Sequence, residues 1–273
     1  MVCVSHSPRV TVVTITTRNL YLKHQVEGLA KQSFTDFDWI IIADDVDEIQ
    51  AVVQSAPFPV HVFPPLRPSP YKAPSHALNS GVAYSRGELL YLMLDYVIPM
   101  PNSIERHWYI HEHQPHTFVT GACYYINTPE DAIAAYQEEE RIRTIKTGGH
   151  EWISTELFRA KRAGVRNWYT GRNDSCPTEA WLSCNGMEES LDGDRRDQDA
   201  EMSERLMNSG LMYIVDTVPS AKVLPHPPIP KETKGIDFNY SNYIDMVSNS
   251  GKTISRNSYN LREEREKCLL KLV

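Results

Sequence analysis

Three short apolar runs in the first hundred residues each stop on polar side chains, and that pattern constrains the chain more than any other feature. Val10 to Thr14 (VTVVT) is built of β-branched residues, as a strand covered on both faces should be, and it runs into Thr16, Thr17 and Arg18. Trp39 to Ala43 (WIIIA) halts at Asp44 and Asp45. Leu89 to Leu94 (LLYLML), the most apolar run, halts at Asp95. Between them, Leu20 to Gln32 spaces Leu22, Val26 and Leu29 for a helix, Glu48 to Gln54 forms a short helix, and Val60 to Phe63 a third strand. Strand, helix, strand, helix, strand is the order of a parallel sheet with crossover helices. Ligands of such open sheets bind beyond the carboxyl ends of the strands, where these three polar stops converge.

The rest of the chain is less regular. Pro64 to Pro74 is an extended loop, and Ser75 to Ser85 is a helix burying Ala77, Leu78, Val82 and Ala83 that stops at Gly87. Pro99 to Pro101 should prevent continuation of the strand that ends at Asp95, and a helix is expected over Asn102 to His113. Thr117 to Ile126 is strand-like and Pro129 to Ile145 a charged helix. Asp199 to Ser209 is helical, Tyr213 to Val215 and Ala221 to Leu224 are expected as edge strands, and Asn260 to Leu270 as a terminal helix. Residues 1–115 thus form a nucleotide-binding half and 116–230 a mixed half completing a cleft, with 231–273 as a C-terminal extension.

Composition removes several function classes. A net charge of -7 argues against a whole-surface grip on nucleic acid, although a local basic groove would not show in a total. Five cysteines without CxxC spacing argue against a disulfide framework or a structural zinc site, and reduced thiols in a cytoplasmic compartment are expected. No run approaches the roughly 20 apolar residues of a membrane span, so a soluble protein is expected. G-x-G-x-x-G, the P-loop pattern and the GxSxG elbow are all absent. The site must hold its ligand by carboxylates, through hydrogen bonds to ribose and base or through a bridging divalent cation.

Five segments in order resemble family-2 glycosyltransferases of the A-type (GT-A) fold: VTVVTITTRN, GLAKQSFTDFDWIIIADDVDE, HALNSGVAYSRGELLYLMLDYVIPMPNSIERH, NGMEESLDGDRRDQDAEMSERLMNSG and AKVLPH. The resemblance implies an α/β nucleotide-diphospho-sugar transferase fold, with a central, mostly parallel sheet flanked by helices over residues 1–230. It implies transfer of a sugar from a nucleotide-diphosphate donor, a UDP-sugar as the first guess, to a hydroxyl acceptor. That acceptor is a glycan, a protein side chain or a hydroxylated DNA base.

Carried over residue by residue, Asp44 or Asp45 would bond the base, with Thr16 and Arg18 lining the nucleotide pocket and Asn79 and Arg86 contacting the nucleotide. Asp95 takes the first position of the DxD motif, and Asp199 falls where inverting members have their general base. Glu188 and Glu189 would meet acceptor or donor hydroxyls, Arg195 and Arg196 the diphosphate. Asp95 and His226 would hold a Mn2+ or Mg2+ ion. The chain departs from the family at the DxD, which here reads Asp95-Tyr96-Val97. Either a cation is held by Asp95, His226, water and diphosphate, or arginine or lysine supplies the charge, or catalysis has lapsed and a binding or partner module remains. A nucleotidyltransferase is the weaker alternative, because ITTRNLYLK lacks the glycine-rich loop that such enzymes carry.

Other groups read more plainly. His107 and His111 are four residues apart on a helix, a zinc-compatible spacing, but no third ligand follows a known pattern, so a solvated or packing role is expected. Trp152, Trp168, Tyr169 and Trp181 are expected in the core, with stacking on a sugar or base as the functional alternative. For Arg195 and Arg196 the plain alternative is a salt bridge to Asp192 or Asp194.

Overall fold

A computed structural model describes residues 7–67, 74–125, 171–192, 198–225, 247 and 249–271. The first three strands form as the apolar runs require: β1 (Val10–Thr16), β2 (Phe37–Ala43) and β3 (Val60–Phe63). They are joined by α1 (Leu22–Ala30) and α2 (Val46–Val53), and α3 (Pro74–Tyr84) leads into β4 (Leu89–Leu92). All four strands are parallel, with β1 paired to β2 and to β4, and β3 outside β2. The carboxyl ends of β1, β2 and β4 therefore share one edge of the sheet.

The second half continues the same sheet. β5 (Val97–Pro99) is followed by α4 (Ser103–His113), β6 (Thr117–Tyr125), β7 (Asp174–Pro177), α5 (Thr178–Ser183), α6 (Gln198–Asn208), β8 (Met212–Val223) and α7 (Leu261–Lys271). Among the described residues the strand order is β3-β2-β1-β4-β7-β6-β8-β5. β7 is antiparallel to both β4 and β6, β8 is parallel to β6, and β5 is antiparallel to β8.

One expectation is corrected here. The pieces at 213–215 and 221–224 are one strand, and it is not an edge: β8 lies between β6 and β5. Its pairing slips between Gly121 and Ala122, so that Asp216 faces Gly121 and Ser220 faces Ala122, and the three residues between bulge out. As expected, β4 does not continue; a separate short strand, β5, ends at Pro99, and among the described residues it is the sheet edge beside β8, where a missing N–H is tolerated. The expected helix at 129–145 lies outside the described residues.

Each face of the sheet carries its own core. One packs α1, α2 and α4 through Leu22, Leu29, Ile49, Val53 and Ile104 onto Val10, Val12, Trp39, Ile41 and Tyr91. The other packs α3, α5, α6 and α7 through Leu78, Val82, Trp181, Met202, Leu206, Leu261 and Cys268 onto Val13, Leu90, Leu92, Phe118 and Tyr213. Residues at the end of the chain thus sit on the main core rather than beside it. The Arg86-Gly87 turn needs its glycine because a Cβ there would lie 2.4 Å from the Thr11 backbone nitrogen.

His107 and His111 are packed, not solvated. His107 Nδ1 lies 2.7 Å and His111 Nε2 2.8 Å from Ser175 Oγ, and His107 Nε2 is 3.1 Å from Asn173 Oδ1, which also accepts from the Tyr91 hydroxyl at 2.8 Å. Burial lowers both imidazoles to a pKa of about 3. This network clamps α4 to β7. A buried carboxylate, Asp216, takes Arg106 Nε of α4 at 2.8 Å.

Candidate active site

β1 and β4 are neighbours, so Thr16, Arg18 and Asp95 emerge side by side at their carboxyl ends. The Thr16 hydroxyl lies 2.9 Å from Asp95 Oδ2 and accepts from the Arg18 backbone N–H at 3.0 Å. Arg18 Nε donates to the same Oδ2 at 3.2 Å. The side chains of Arg18 and Asp95 are 22% and 11% exposed, which puts the ion pair at the mouth of the crevice rather than in bulk water. One strand over, Asp44 and Asp45 are exposed after β2. Asp45 caps α2, accepting from the Glu48 N–H at 2.9 Å. The structure brings five of the expected residues, Thr16, Arg18, Asp44, Asp45 and Asp95, to one end of the sheet.

Helix direction brings further groups to that end. α3 runs from the loop after β3 down to the Arg86-Gly87 turn beside Thr11, so its first turn lies at the crevice end. The Asp192 carboxylate caps it, accepting from the N–H groups of Ser75 at 3.1 Å and His76 at 3.0 Å and lying 3.2 Å from His76 Nδ1. Asp192 is thereby committed to α3. α6 likewise descends to the start of β8, and its first residue, Gln198, donates to the Leu191 carbonyl at 3.1 Å. Asp199 therefore stands in the first turn of a helix whose amino end faces the crevice.

Two expected nucleotide contacts go elsewhere. Arg86 lies at the opposite end of the sheet, with Nε and Nη2 on Asp38 Oδ2 at 3.2 and 3.0 Å, and Asp38 is paired in register with Thr11. It closes α3, a helix of 11 residues that at ~1.5 Å per residue carries it about 16 Å from the first turn. Asn79 is buried, 1% exposed, and its amide is the hub of the turn after α5. Its Oδ1 accepts from Met187 N at 2.8 Å and Trp181 Nε1 at 3.2 Å. Its Nδ2 donates to Met187 O and Glu189 Oε1, both at 3.0 Å, and to the Tyr259 hydroxyl at 3.1 Å.

Glu188 and Glu189 belong to the same turn. Glu188 is buried and takes Arg256 N at 2.8 Å, Arg256 Nε at 3.2 Å and Ser190 Oγ at 2.7 Å. Burial pushes its carboxyl up, but the Ser190 and Arg256 bonds outweigh that and hold it below the ordinary carboxylate value. Glu189 accepts from Tyr259 as well as from Asn79. Trp181 is in the core, as expected. Arg195, Arg196 and His226 lie outside the described residues, as do Trp152, Trp168, Tyr169 and Asp194.

Two features escaped sequence reasoning. Residues 252–261 form a strap over the turn at 184–190. Ser255 N donates to Cys184 O at 3.0 Å, Asn257 Nδ2 to Asn185 O at 3.0 Å, and Leu261 N to Asn185 Oδ1 at 2.8 Å. No periodicity signals such a strap. The second is the buried ion pair of α6, in which Arg205 Nε and Nη2 each meet Glu201 at 2.8 Å while Nη1 donates to Cys184 O at 2.8 Å. Its i,i+4 spacing was there to be read in the sequence.

The profile of one protein family, described as Glycosyl transferase family 2, matches residues 11–190. The chain belongs to this family. Among solved structures, several share the fold over 80% to 96% of this chain. Residues 1–349 of S. aureus TarS, in complex with UDP-GlcNAc, superpose with a TM-score of 0.64 at 8% identity, covering 96% of this chain and 71% of that one. A longer TarS structure is covered to 37% of its length, with a TM-score of 0.57 and 10% identity. GalNAc-T7 with UDP, GalNAc and Mn2+ gives 0.62 at 11% identity, covering 88% of this chain and 48% of that one. At these identities the likeness establishes the GT-A fold. No curated protein sequence matches. Family membership supports a nucleotide-sugar glycosyltransferase. No helix of the described residues is long and apolar enough to cross a membrane.

Among the described residues, the donor set at this family member's DxD position does not fit a divalent cation. A second carboxylate is missing, because Tyr96 follows Asp95 and Val97 is already buried in β5 against Val223. The remaining carboxylate holds a guanidinium, so a dication on its Oδ2 would have to displace Arg18 or sit against a like charge.

Proposed function

We propose that this chain transfers a sugar, with inversion, from a UDP-sugar to a hydroxyl group of a glycan, protein or hydroxylated DNA base, with Asp199 as general base. The observation that carries the reading is the amino end of α6. It presents Asp199 at the same end of the sheet as Thr16, Arg18, Asp44 and Asp95. The base and ribose bind along the ends of β1 and β2, where Asp44 or Asp45 meets the base, and the diphosphate lies toward Asp95. From the family resemblance alone, Arg195 and Arg196 are further candidates for diphosphate contact. Asp199 takes the proton as the acceptor oxygen attacks the anomeric carbon. The new C–O bond forms, and the bond to the β-phosphate oxygen breaks on the opposite face. The nucleoside diphosphate departs with the electron pair. Because the described cysteines 123, 176, 184 and 268 are free thiols, we assign the protein to the cytoplasm.

Asp199→Asn tests this directly. Turnover should fall by about 10²–10⁴-fold, the range for losing a general base, while UDP binds as in the parent. Transfer at the parental rate by that variant sinks the assignment. The lapsed-module reading predicts UDP binding with no release of UDP from any UDP-sugar, in parent and variant alike.

A further inference from the structure

The charge at Asp95 is arranged unlike that of a metal-dependent transferase. A divalent ion on two carboxylates is a neutral ensemble, with two positive charges against two negative. Here one carboxylate has been replaced by Tyr96 and Val97, and the surviving one carries a monovalent guanidinium through Arg18 Nε at 3.2 Å. That ensemble is neutral too. Losing a single carboxylate is what an exchange of a dication for a monocation requires. An intact pair of aspartates around one arginine would leave an extra negative charge facing the diphosphate.

We propose that Arg18, oriented by Asp95 and Thr16, is the cation that binds the donor's diphosphate at this site, so that nucleotide-diphosphate binding needs no metal ion. The inference rests on the donor reading given above. Geometry supports it in three ways. Arg18 follows β1 and Asp95 follows β4, so the pair lies where two central parallel strands open the crevice. Thr16 fixes both partners: its hydroxyl lies 2.9 Å from the Asp95 carboxylate and takes the Arg18 backbone N–H at 3.0 Å. A guanidinium also stays charged at any physiological pH and presents a planar fork of donors matched to phosphate oxygens. Asp95 is thus a positioning residue, and Arg18 the group that touches the donor.

Calorimetric titration of the full chain tests this with UDP, ADP, GDP and dTDP, each in EDTA and in Mn2+, and with uridine as the probe lacking the diphosphate. UDP affinity should agree within about twofold between the two media. Arg18→Ala should weaken UDP by about tenfold or more, the value of a charge-assisted pair, in both media. The same variant should leave uridine affinity unchanged, and Arg18→Lys should restore part of the loss. Asp95→Asn, which keeps the guanidinium but loosens its anchor, should weaken UDP less than Arg18→Ala does and create no Mn2+ dependence. UDP binding that tightens tenfold or more with Mn2+ and loses that gain in Asp95→Asn overturns the inference and leaves the transferase reading standing. Unchanged UDP affinity in Arg18→Ala overturns it as well. Failure of all four nucleotides to bind in either medium overturns the donor reading, and this inference with it.

Discussion

Asn79→Ala separates a residue that binds nucleotide from one that holds the protein together. The Asn79 amide is 1% exposed and makes five bonds, so the cost of removing it follows from which partners are stranded. The Met187 carbonyl keeps Asn257 Nδ2 at 2.8 Å, and Glu189 and Tyr259 keep each other. The donors Met187 N–H and Trp181 Nε1–H lose their acceptor, inside a core where Trp181 is 0% exposed. Each stranded buried donor costs ~1–3 kcal/mol, giving about 2–6 kcal/mol in total. That is a large part of a typical folding free energy of ~5–15 kcal/mol. Equilibrium unfolding in urea at 25 °C reads it directly, with UDP titrated into the folded variant as the companion measurement. The expected result is a markedly lower midpoint and parental UDP affinity. A loss below about 0.5 kcal/mol, the scale of an ordinary surface substitution, together with weakened UDP binding would refute the structural assignment and return Asn79 to the donor pocket.

Two further outcomes follow from buried charge. His107 and His111 have folded pKa values of about 3, below the unfolded value of 6.5, so the unfolded state binds more protons between those limits. Their contribution to stability is complete above pH 6.5 and is lost as pH falls toward 3, at up to about 1.4 kcal/mol per pH unit for each histidine. Urea midpoints at pH 7.5 and pH 5 should show the drop, and His107→Gln should flatten it; an unchanged slope would mean that the ring is not buried neutral. Glu201→Ala leaves Arg205 charged and fully buried, at a cost of about 3–5 kcal/mol. Replacing both partners, Glu201→Leu with Arg205→Met, should recover most of that. Thermal melts of the single and double variants decide, and a double variant as unstable as the single one would show that packing rather than charge is responsible.

The first half of the chain was legible because its structure is local. Parallel strands buried on both faces write continuous apolar runs, and the residue after each run marks the crevice without further information. That reasoning placed Thr16, Arg18, Asp44, Asp45 and Asp95 at one end of the sheet. It misplaced Arg86, which ends a helix rather than beginning one and so points the wrong way. β7 was invisible because its four residues, Asp174–Pro177, are mostly polar, and the histidines that satisfy Ser175 come from a helix more than sixty residues earlier. The β8 bulge split one strand into two short patterns. Asn79, Glu188 and Glu189 are chemically indistinguishable from ligand-binding residues in a sequence, and only the folded structure shows what they bond.

The strap at 252–261 has a consequence for the order in which the protein is made. The turn at 184–190 is bonded by residues that lie 70 positions further along, as in the bond of Ser255 to Asn185. At ~5–20 residues per second of synthesis, those residues reach the turn several seconds after it has left the ribosome. The pairings among β1 to β4 and the Arg18–Asp95 ion pair join residues no later than 95, so they can begin to form before the later helices cover the second face. Closing a loop of this length is the slower event, because its entropy is lost before any contact forms. The nascent chain can therefore form the crevice end of β1, β2 and β4 first, and the turn at 184–190 is braced only after residues 252–261 have been made.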